Sequence, residues 1–338
     1  MSPLFSARPN RAVRVLGLAT ASAAVLALAA CSAPAEGDAA GSTRVYENEF
    51  GSVELPESIE RIVSVDFYTP AALIDLGVTP VGVVNSYFTD TEGEGIPLEY
   101  IDAIAESDAE SIGEYYELNL EAIVKADPDV VIATQDFLPM DDPMREEIEK
   151  IAPIITFNAR DGEAWRTRAT ELATILGKED DLEPLVEAYD TRRDEVAAEY
   201  PEILSDYAVT VFGPEPDEWG TYSDTHFITP ILRDLGATFR EQAEEEVTED
   251  GFPSWFSYEE LDRIANADII FMRTGVSDEQ QAALDANTIW QNLPAVQNGM
   301  VFEYIDRGPT GSYGWAMGNL DDLEALFAEV QAKLDAQG

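Results

Sequence analysis

The stretch Asn119–Thr134, NLEAIVKADPDVVIAT, holds a helix, a break and a strand. Glu121 places an acid where the helix dipole favours one. Leu120, Ile123 and Val124 then share one helical face. Asp127-Pro128-Asp129 ends the helix, because proline lacks a donor and disfavours the helical conformation before it. Val130-Val-Ile-Ala-Thr134 is apolar without alternation, the pattern of a strand covered on both faces, as in a parallel sheet. A helix feeding such a strand is half of a strand–helix–strand unit.

The same rhythm extends both ways. Arg61–Asp66 reads as a strand, Thr69–Leu76 as a helix opened by Pro70 and closed by Gly77, and Val78–Val84 as a second strand. Pro143–Ile151 is a helix and Ile154–Phe157 a fourth strand. From Glu163 to Tyr200 there is no strand. Trp165, Ala169, Leu172 and Leu176 make one helical stripe, Gly177-Lys178 interrupts, and Leu182, Leu185, Val186 and Tyr189 begin another. A helix over Asp181–Glu199 is about 28 Å long, enough to bridge two lobes. Alternation returns with strands at Ala208–Phe212, Ile269–Arg273 and Val301–Ile305. Helices are expected at His226–Leu235, Tyr258–Ala265 and Thr288–Leu293, with a closing helix over Asn319–Ala336. The expected fold is α/β: two lobes, each a mainly parallel sheet with flanking helices, joined by a single long α-helix. The expected limits are an N-terminal lobe at 44–160, a helical region at 161–200, a C-terminal lobe at 201–318 and the closing helix at 319–338.

The chain begins differently. Arg8, Arg11 and Arg14 precede an uncharged run, Val15–Ala30, shorter than the roughly 20 apolar residues of a spanning helix. This is the pattern of a secretory signal over residues 1–30. Leu28-Ala29-Ala30-Cys31 resembles the lipobox of bacterial lipoproteins. That resemblance implies a diacylglyceryl thioether on Cys31, cleavage before it, and a protein anchored on the extracytoplasmic face of the cell membrane. Residues 31–43 are then a lipidated cysteine and a polar tether. The alternative is a plain secreted protein with a spare cysteine. Cys31 is the single cysteine, so no disulfide forms within the chain.

Removing residues 1–30 from 338 leaves 308, a length suited to two domains. Those thirty residues carry three arginines and no acid, so the net charge moves from −47 to −50. Such a surface disfavours nucleic acid and anionic lipid headgroups. The acids are spread along the chain, which points to solubility or salt adaptation more than to steering of a cationic ligand. Steering reaches only about 8 Å at physiological salt. No Gly-x-Ser-x-Gly, His-Glu-x-x-His, Gly-x-Gly-x-x-Gly or P-loop occurs. With one histidine and no thiol left after lipidation, Ser-His and Cys-His chemistry has little to draw on, and the chain does not read as an enzyme.

Several phrases together resemble the substrate-binding proteins of bacterial ABC importers, in the class that carries ferric siderophores, haem and cobalamin. They are Arg61–Asp66 with Leu76-Gly-Val78, Asn119-Leu-Glu121 with Pro128–Ile132, Leu235-Gly236, Asp268–Ile270, and Trp290–Val296 with Asn298-Gly299. The resemblance spans about Arg44 to Ala336. It implies a ligand cleft between the lobes, no resident cofactor, iron held by the siderophore and not by the protein, and a monomer working with an ABC-transporter permease. It also implies one exposed glutamate on each lobe that docks into arginine-containing pockets of that permease. Glu121 matches in the N-terminal lobe, and Ser257-Tyr-Glu259 matches in the C-terminal lobe, with Glu260 as a rival.

Ligands of open α/β sheets sit beyond the carboxyl ends of the strands. That rule selects Asp66 to Tyr68, then Asn85 to Phe88 with Tyr87, then Tyr115 and Tyr116, and Gln135 to Phe137. In the second lobe it selects Trp219, Tyr222, His226, Arg273, Arg307, Tyr313 and Trp315, with Trp255 ahead of the Glu259 helix. Aromatic walls with few polar groups suit a bulky, partly apolar chelate. A ferric tris-catecholate wants clustered arginines, and only Arg273 and Arg307 are placed. A ferric hydroxamate, neutral or cationic, is therefore favoured. Haem with His226 as iron ligand, cobalamin, and a sensing or scaffolding lipoprotein remain alternatives. One histidine argues against a His-rich zinc site.

Overall fold

A computed structural model describes residues 42–90, 95–159, 162–221, 228–243, 246, 254–308 and 310–337. The strands are β1 (Thr43–Asn48), β2 (Gly51–Pro56), β3 (Ile62–Ser64), β4 (Gly82–Val83), β5 (Glu110–Ser111), β6 (Gly113–Glu114), β7 (Glu117–Leu118), β8 (Val130–Thr134), β9 (Ile154–Phe157), β10 (Val209–Pro214), β11 (Glu218–Thr221), β12 (Ser254–Ser257), β13 (Ile269–Arg273) and β14 (Val301–Tyr304). The helices are α1 (Thr69–Asp75), α2 (Ser86–Thr89), α3 (Leu98–Ala105), α4 (Leu120–Ala126), α5 (Pro143–Ile148), α6 (Ala164–Leu176), α7 (Glu179–Glu199), α8 (Pro201–Asp206), α9 (Thr229–Asp234), α10 (Asp278–Ala286), α11 (Thr288–Asn292), α12 (Pro294–Gln297) and α13 (Tyr313–Asp335). A 3-10 helix covers Tyr258–Ile264.

The opening stretch folds for local reasons. Asn119 Oδ1 accepts from the N–H groups of Glu121 and Ala122 at 3.0 and 3.2 Å, which starts α4. Asp127 stops it by taking φ +48°, a left-handed conformation that Asp tolerates better than most residues. All five residues of β8 are buried, which accounts for their unbroken apolar run. The sheet order is β5-β4-β3-β8-β9, and every pair is parallel. Its two faces feed two cores. Ile62, Val130, Ile132, Ile155 and Phe157 join α6 and α7, while Val63, Val65, Val131, Ala133 and Ile154 form the other core.

The second sheet has the order β12-β11-β10-β13-β14. β10, β13 and β14 are parallel, and β11 and β12 extend the sheet antiparallel. Between the sheets run α6 and the 21-residue α7, about 31 Å long. Leu172, Tyr189 and Val196 are fully buried there, and the same apolar cluster continues to Phe212 and Phe271 of the second sheet. The α/β fold with two lobes and a long connecting helix is thus what forms. Sequence periodicity did not reveal the β1–β2 hairpin, the antiparallel edge β11–β12, or the short β5–β7. Segments of two to six residues leave too little pattern to read.

α13 begins at Tyr313, ahead of its apolar stripe at Asn319. Gly311, Gly314 and Gly318 lower helix propensity there, and the cap at Ser312 overcomes it by accepting from the Trp315 N–H at 3.3 Å. This first turn is held by the N-terminal sheet's surroundings. Asp75 Oδ2 accepts from the Gly314 N–H at 2.7 Å, and Tyr100 Oη donates to Asp75 Oδ1 at 2.9 Å. A Cβ on Gly314 would lie 2.4 Å from Tyr100 Oη, so only glycine allows this approach. Arg168, buried in α6, donates to the Gly311 carbonyl at 3.0 Å. The chain therefore links the two sheets a second time, through residues 305–316.

Candidate functional site

In an open α/β sheet the ligand crevice opens where neighbouring strands lead away in opposite directions. In the N-terminal sheet that point lies between β3 and β8; in the C-terminal sheet it lies between β10 and β13. The residues leaving these four strands define the candidate site.

On the N-terminal side the site is aromatic. Phe67 and Tyr68 follow β3, and Phe137 follows β8. The Tyr68 and Phe137 rings lie 5.6 Å apart, Phe137 and Tyr115 5.1 Å, and Phe137 and Tyr116 5.7 Å. Phe67 contacts both Tyr68 and Tyr115, at 5.7 and 6.0 Å. Tyr115 and Tyr116 form the two-residue turn between β6 and β7. That turn needs Gly113 at φ +107°, where a Cβ would meet the Glu117 carbonyl at 2.6 Å. Tyr116 itself holds φ +60° and is 72% exposed. A left-handed tyrosine costs about 1–2 kcal/mol, and here it displays a ring at the edge of the aromatic surface. Burial pushes the Tyr115 hydroxyl up to about 12, so it stays a neutral donor at physiological pH. Behind Tyr68 lies buried Arg168, 5.3 Å from the ring, facing the buried carboxylate of Asp66. Burial raises the Asp66 pKa, while Arg168 and three hydrogen bonds from Tyr68 and Thr69 offset part of the rise.

On the C-terminal side the site is charged and already paired. Arg273 ends β13 and donates both to the Glu215 carboxylate and to the Pro214 carbonyl, the latter at 3.0 Å. Asp306 follows β14; burial raises its pKa, and the Gly308 N–H and Arg273 partly oppose that. Arg307 grips Asp322 of α13 with Nε at 2.6 Å and a terminal nitrogen at 3.3 Å. The loop after β14 reaches the aromatic side, where a Cβ on Gly308 would sit 3.4 Å from Phe67.

Of the expected ligand residues, Tyr68 and Tyr115 lie in the aromatic surface. Arg273 and Arg307 lie at the charged strand ends, and Trp255, 41% exposed, sits on edge strand β12 over Gly220. Tyr87, Trp219 and Trp315 are corrected: each is fully buried and offers no surface to a ligand. Tyr87 donates to the Phe67 carbonyl at 2.9 Å, and Trp219 donates to the Ser257 carbonyl at 3.0 Å. Trp315 packs 5.6 Å from Phe67, supporting the aromatic surface from below. An aromatic after a strand looks the same in sequence whether it faces the core or the crevice. Tyr222, His226 and Cys31 lie outside the described residues. Sequence reading missed Glu215, one acid among many, which only its contact with Arg273 singles out.

Glu121 and Glu259 are both exposed first-turn acids beside a side-chain cap, Asn119 in one case and Ser257 in the other. Glu260 is instead partly buried and ion-paired to Arg263 at 2.8 Å. α4 leads back to the start of β8, so Glu121 lies on the carboxyl-end side of its sheet. Ser257 pairs with Glu218 next to the end of β10, which puts Glu259 on that same side of the other sheet. Among the described residues no group of three or more His, Cys, Asp or Glu is placed to hold a metal ion. No helix among them is long and apolar enough to cross a membrane.

The description "periplasmic binding protein" matches residues 62–307, most of the chain and both switch points. The chain belongs to the periplasmic binding protein family. It is a substrate-binding protein, of a family that acts with ABC-transporter permeases, and not an enzyme. Among relatives, it is 23% identical over 300 residues to the putative ABC transporter substrate-binding lipoprotein YhfQ of Bacillus subtilis, covering 86% of this chain and 88% of that one. It is 25% identical over 289 residues to the Fe(3+)-citrate-binding protein YfmC of the same organism, covering 83% and 85%. The crystal structure of Staphylococcus aureus SirA complexed with staphyloferrin B superposes with a TM-score of 0.70 at 23% identity, covering 85% of this binding protein and 99% of that chain.

Proposed function

We propose that this binding protein is held on the extracytoplasmic face of the membrane by a lipid on Cys31. In this reading it captures a ferric siderophore of the hydroxamate type between its two switch points and delivers it to an ABC-transporter permease. The observation that carries the reading is the contiguous surface of Phe67, Tyr68, Tyr115, Tyr116 and Phe137, met at Phe67 by the loop after β14, together with the ion pairs of Arg273 and Arg307 on the C-terminal side. Aromatic area of this kind suits the partly apolar backbone of a wrapped chelate, and phenol groups donate to iron-bound oxygens. The relative named for Fe(3+)-citrate supports iron as the cargo, and the similar fold of a protein complexed with staphyloferrin B is consistent with it. The iron stays inside its chelator, so the site needs no protein ligand to the metal.

Delivery rests on Glu121 and Glu259, two fixed exposed anions on separate lobes. They give register and orientation to a partner with arginine pockets. The test is tryptophan fluorescence of the full chain titrated with ferrioxamine B, a ferric tris-catecholate, haemin and cyanocobalamin. Sub-micromolar saturation with ferrioxamine B is expected; saturation with haemin alone overturns the siderophore reading. In cells, Glu121→Lys with Glu259→Lys is expected to stop iron uptake and leave the titration unchanged. Uptake that survives overturns the docking role and favours a sensor or scaffold. Cys31→Ala is expected to move the protein from the membrane to the soluble fraction.

A further inference from the structure

The charges at the two switch points go further than the class of chelate. The N-terminal loops 66–68, 85–88, 113–117 and 135–137 contain no Lys or Arg, but they contain Asp66, Glu114, Glu117 and Asp136. Asp66 is committed to buried Arg168 and to the start of α1. At the C-terminal switch point Arg273 ends β13, and Glu215, just after the neighbouring strand β10, is ion-paired with it. Both side chains keep partial exposure, 25% and 34%, and Glu215 shares one terminal nitrogen of Arg273 with the Pro214 carbonyl, so any anion at this arginine lies beside a carboxylate. Asp306 flanks the same arginine from β14. Arg307, the other candidate, is held in a fork by Asp322. Formally, Arg273 and Arg307 stand against three carboxylates, Glu215 and Asp306 after the strands and Asp322 on α13.

An anionic chelate entering here meets the carboxylate already on each arginine, and displacing Glu215 or Asp322 leaves a partly buried carboxylate without its partner. A chelate with a protonated amine displaces no carboxylate from its arginine. The geometry points to Glu215 as a specificity-determining residue: by occupying Arg273 it sets the site for a net cationic ferric chelate and against anionic ones. Asp322 does the same for Arg307. This inference rests on the reading of the site as a ferric hydroxamate site. It is sharper than that reading, because neutral and cationic hydroxamates are chemically alike except for the charge.

The experiment compares four ferric chelates on the full chain by tryptophan quenching: ferrioxamine B, a monocation; its N-acetyl derivative, neutral with the same iron centre; ferric citrate; and a ferric tris-catecholate. The wild-type protein is expected to bind ferrioxamine B about fivefold or more tighter than the acetylated form, with the difference lost at high salt. It is expected to bind the two anionic chelates at least about a hundredfold more weakly. Glu215→Gln keeps the hydrogen bond to Arg273 while removing the charge. It is expected to cost ferrioxamine B several-fold and to gain about tenfold for the anionic chelates, with Asp322→Asn following in the same direction. Equal affinity for the two hydroxamates, or a Glu215→Gln selectivity ratio equal to wild type, overturns the inference and leaves the hydroxamate reading standing. Tight wild-type binding of ferric citrate or the catecholate overturns the inference directly. Binding of none of the four overturns the hydroxamate reading itself, and the inference with it. Matching circular dichroism and melting temperature separate a change in selectivity from a change in folding.

Discussion

At the switch point of the N-terminal sheet, Tyr68 and Phe137 lie 5.6 Å apart, and loops 66–68, 85–88, 113–117 and 135–137 hold no Lys or Arg. At the same point of the C-terminal sheet, Glu215 and Arg273 face each other as an ion pair. The topology is shared, since both pairs leave the two strands between which each sheet divides. The chemistry is opposite. The aromatic side supplies area, which is nearly indifferent to which chelate covers it. On the inference above, the paired side supplies a charge condition that discriminates among chelates of similar size. Affinity is therefore expected to follow the first region and selectivity the second.

The largest test of that division is Phe137→Ala. Phe137 touches Tyr68, Tyr115 and Tyr116, and its loss is expected to cost about 3 kcal/mol of ligand binding, roughly two orders of magnitude in Kd. Isothermal titration with ferrioxamine B checks it; a change under threefold removes the aromatic surface from the site. Asp75→Ala is expected next. It strands the Gly314 N–H, leaves Tyr100 Oη with Ser312 Oγ as its remaining partner, and loosens the first turn of α13 beneath Phe67. A loss of about 1–3 kcal/mol in stability by denaturant melt is expected, with faster hydrogen exchange across residues 305–316.

Tyr116→Gly splits the two roles of one residue. Glycine accepts φ +60° without strain, so the hairpin is expected to gain about 1 kcal/mol in stability. The lost ring is expected to weaken ligand binding a few-fold, so stability and affinity move in opposite directions. The smallest effect is on pH. Burial raises the pKa of Asp66, Asp75 and Asp306. The native state then holds these protons more tightly than the unfolded chain does. Their contribution to stability is fullest below the ordinary aspartate range and falls as pH rises through the raised values. Thermal melts from pH 4 to 7 are expected to slope downward with pH on their account, and Asp306→Asn is expected to flatten that slope.

Much of this was legible beforehand, for identifiable reasons. β8, β9 and β13 have the ends their sequences imply, because a continuous β-branched run bounded by proline, aspartate or glycine has few other solutions. The loops after the strands were legible for the same reason, and with them the placing of Tyr68, Tyr115 and Arg273 at or beyond strand ends. Tyr87, Trp219 and Trp315 did not, because each lies beside a strand end yet turns into a core. Trp315 shows why. It follows the C-terminal sheet in the chain but is buried with Val63, Val131 and Tyr100 of the N-terminal side, a consequence of the second crossing.

By itself, then, the sequence determined the alternation of helices and strands, the division into two sheets, the long connector, and the loops from which a site must be drawn. Those are consequences of periodicity and of proline, glycine and capping residues, which act within a few residues. The tertiary structure alone decided which aromatics became surface and which became core. It also decided that the arginines of the site come already paired. Glu215 meets Arg273 across 58 residues of chain and Asp322 meets Arg307 across 15. In a chain with 67 acids and 20 basic residues, no local pattern marks which acid reaches which arginine; the register of β10 against β13 and the position of α13 do.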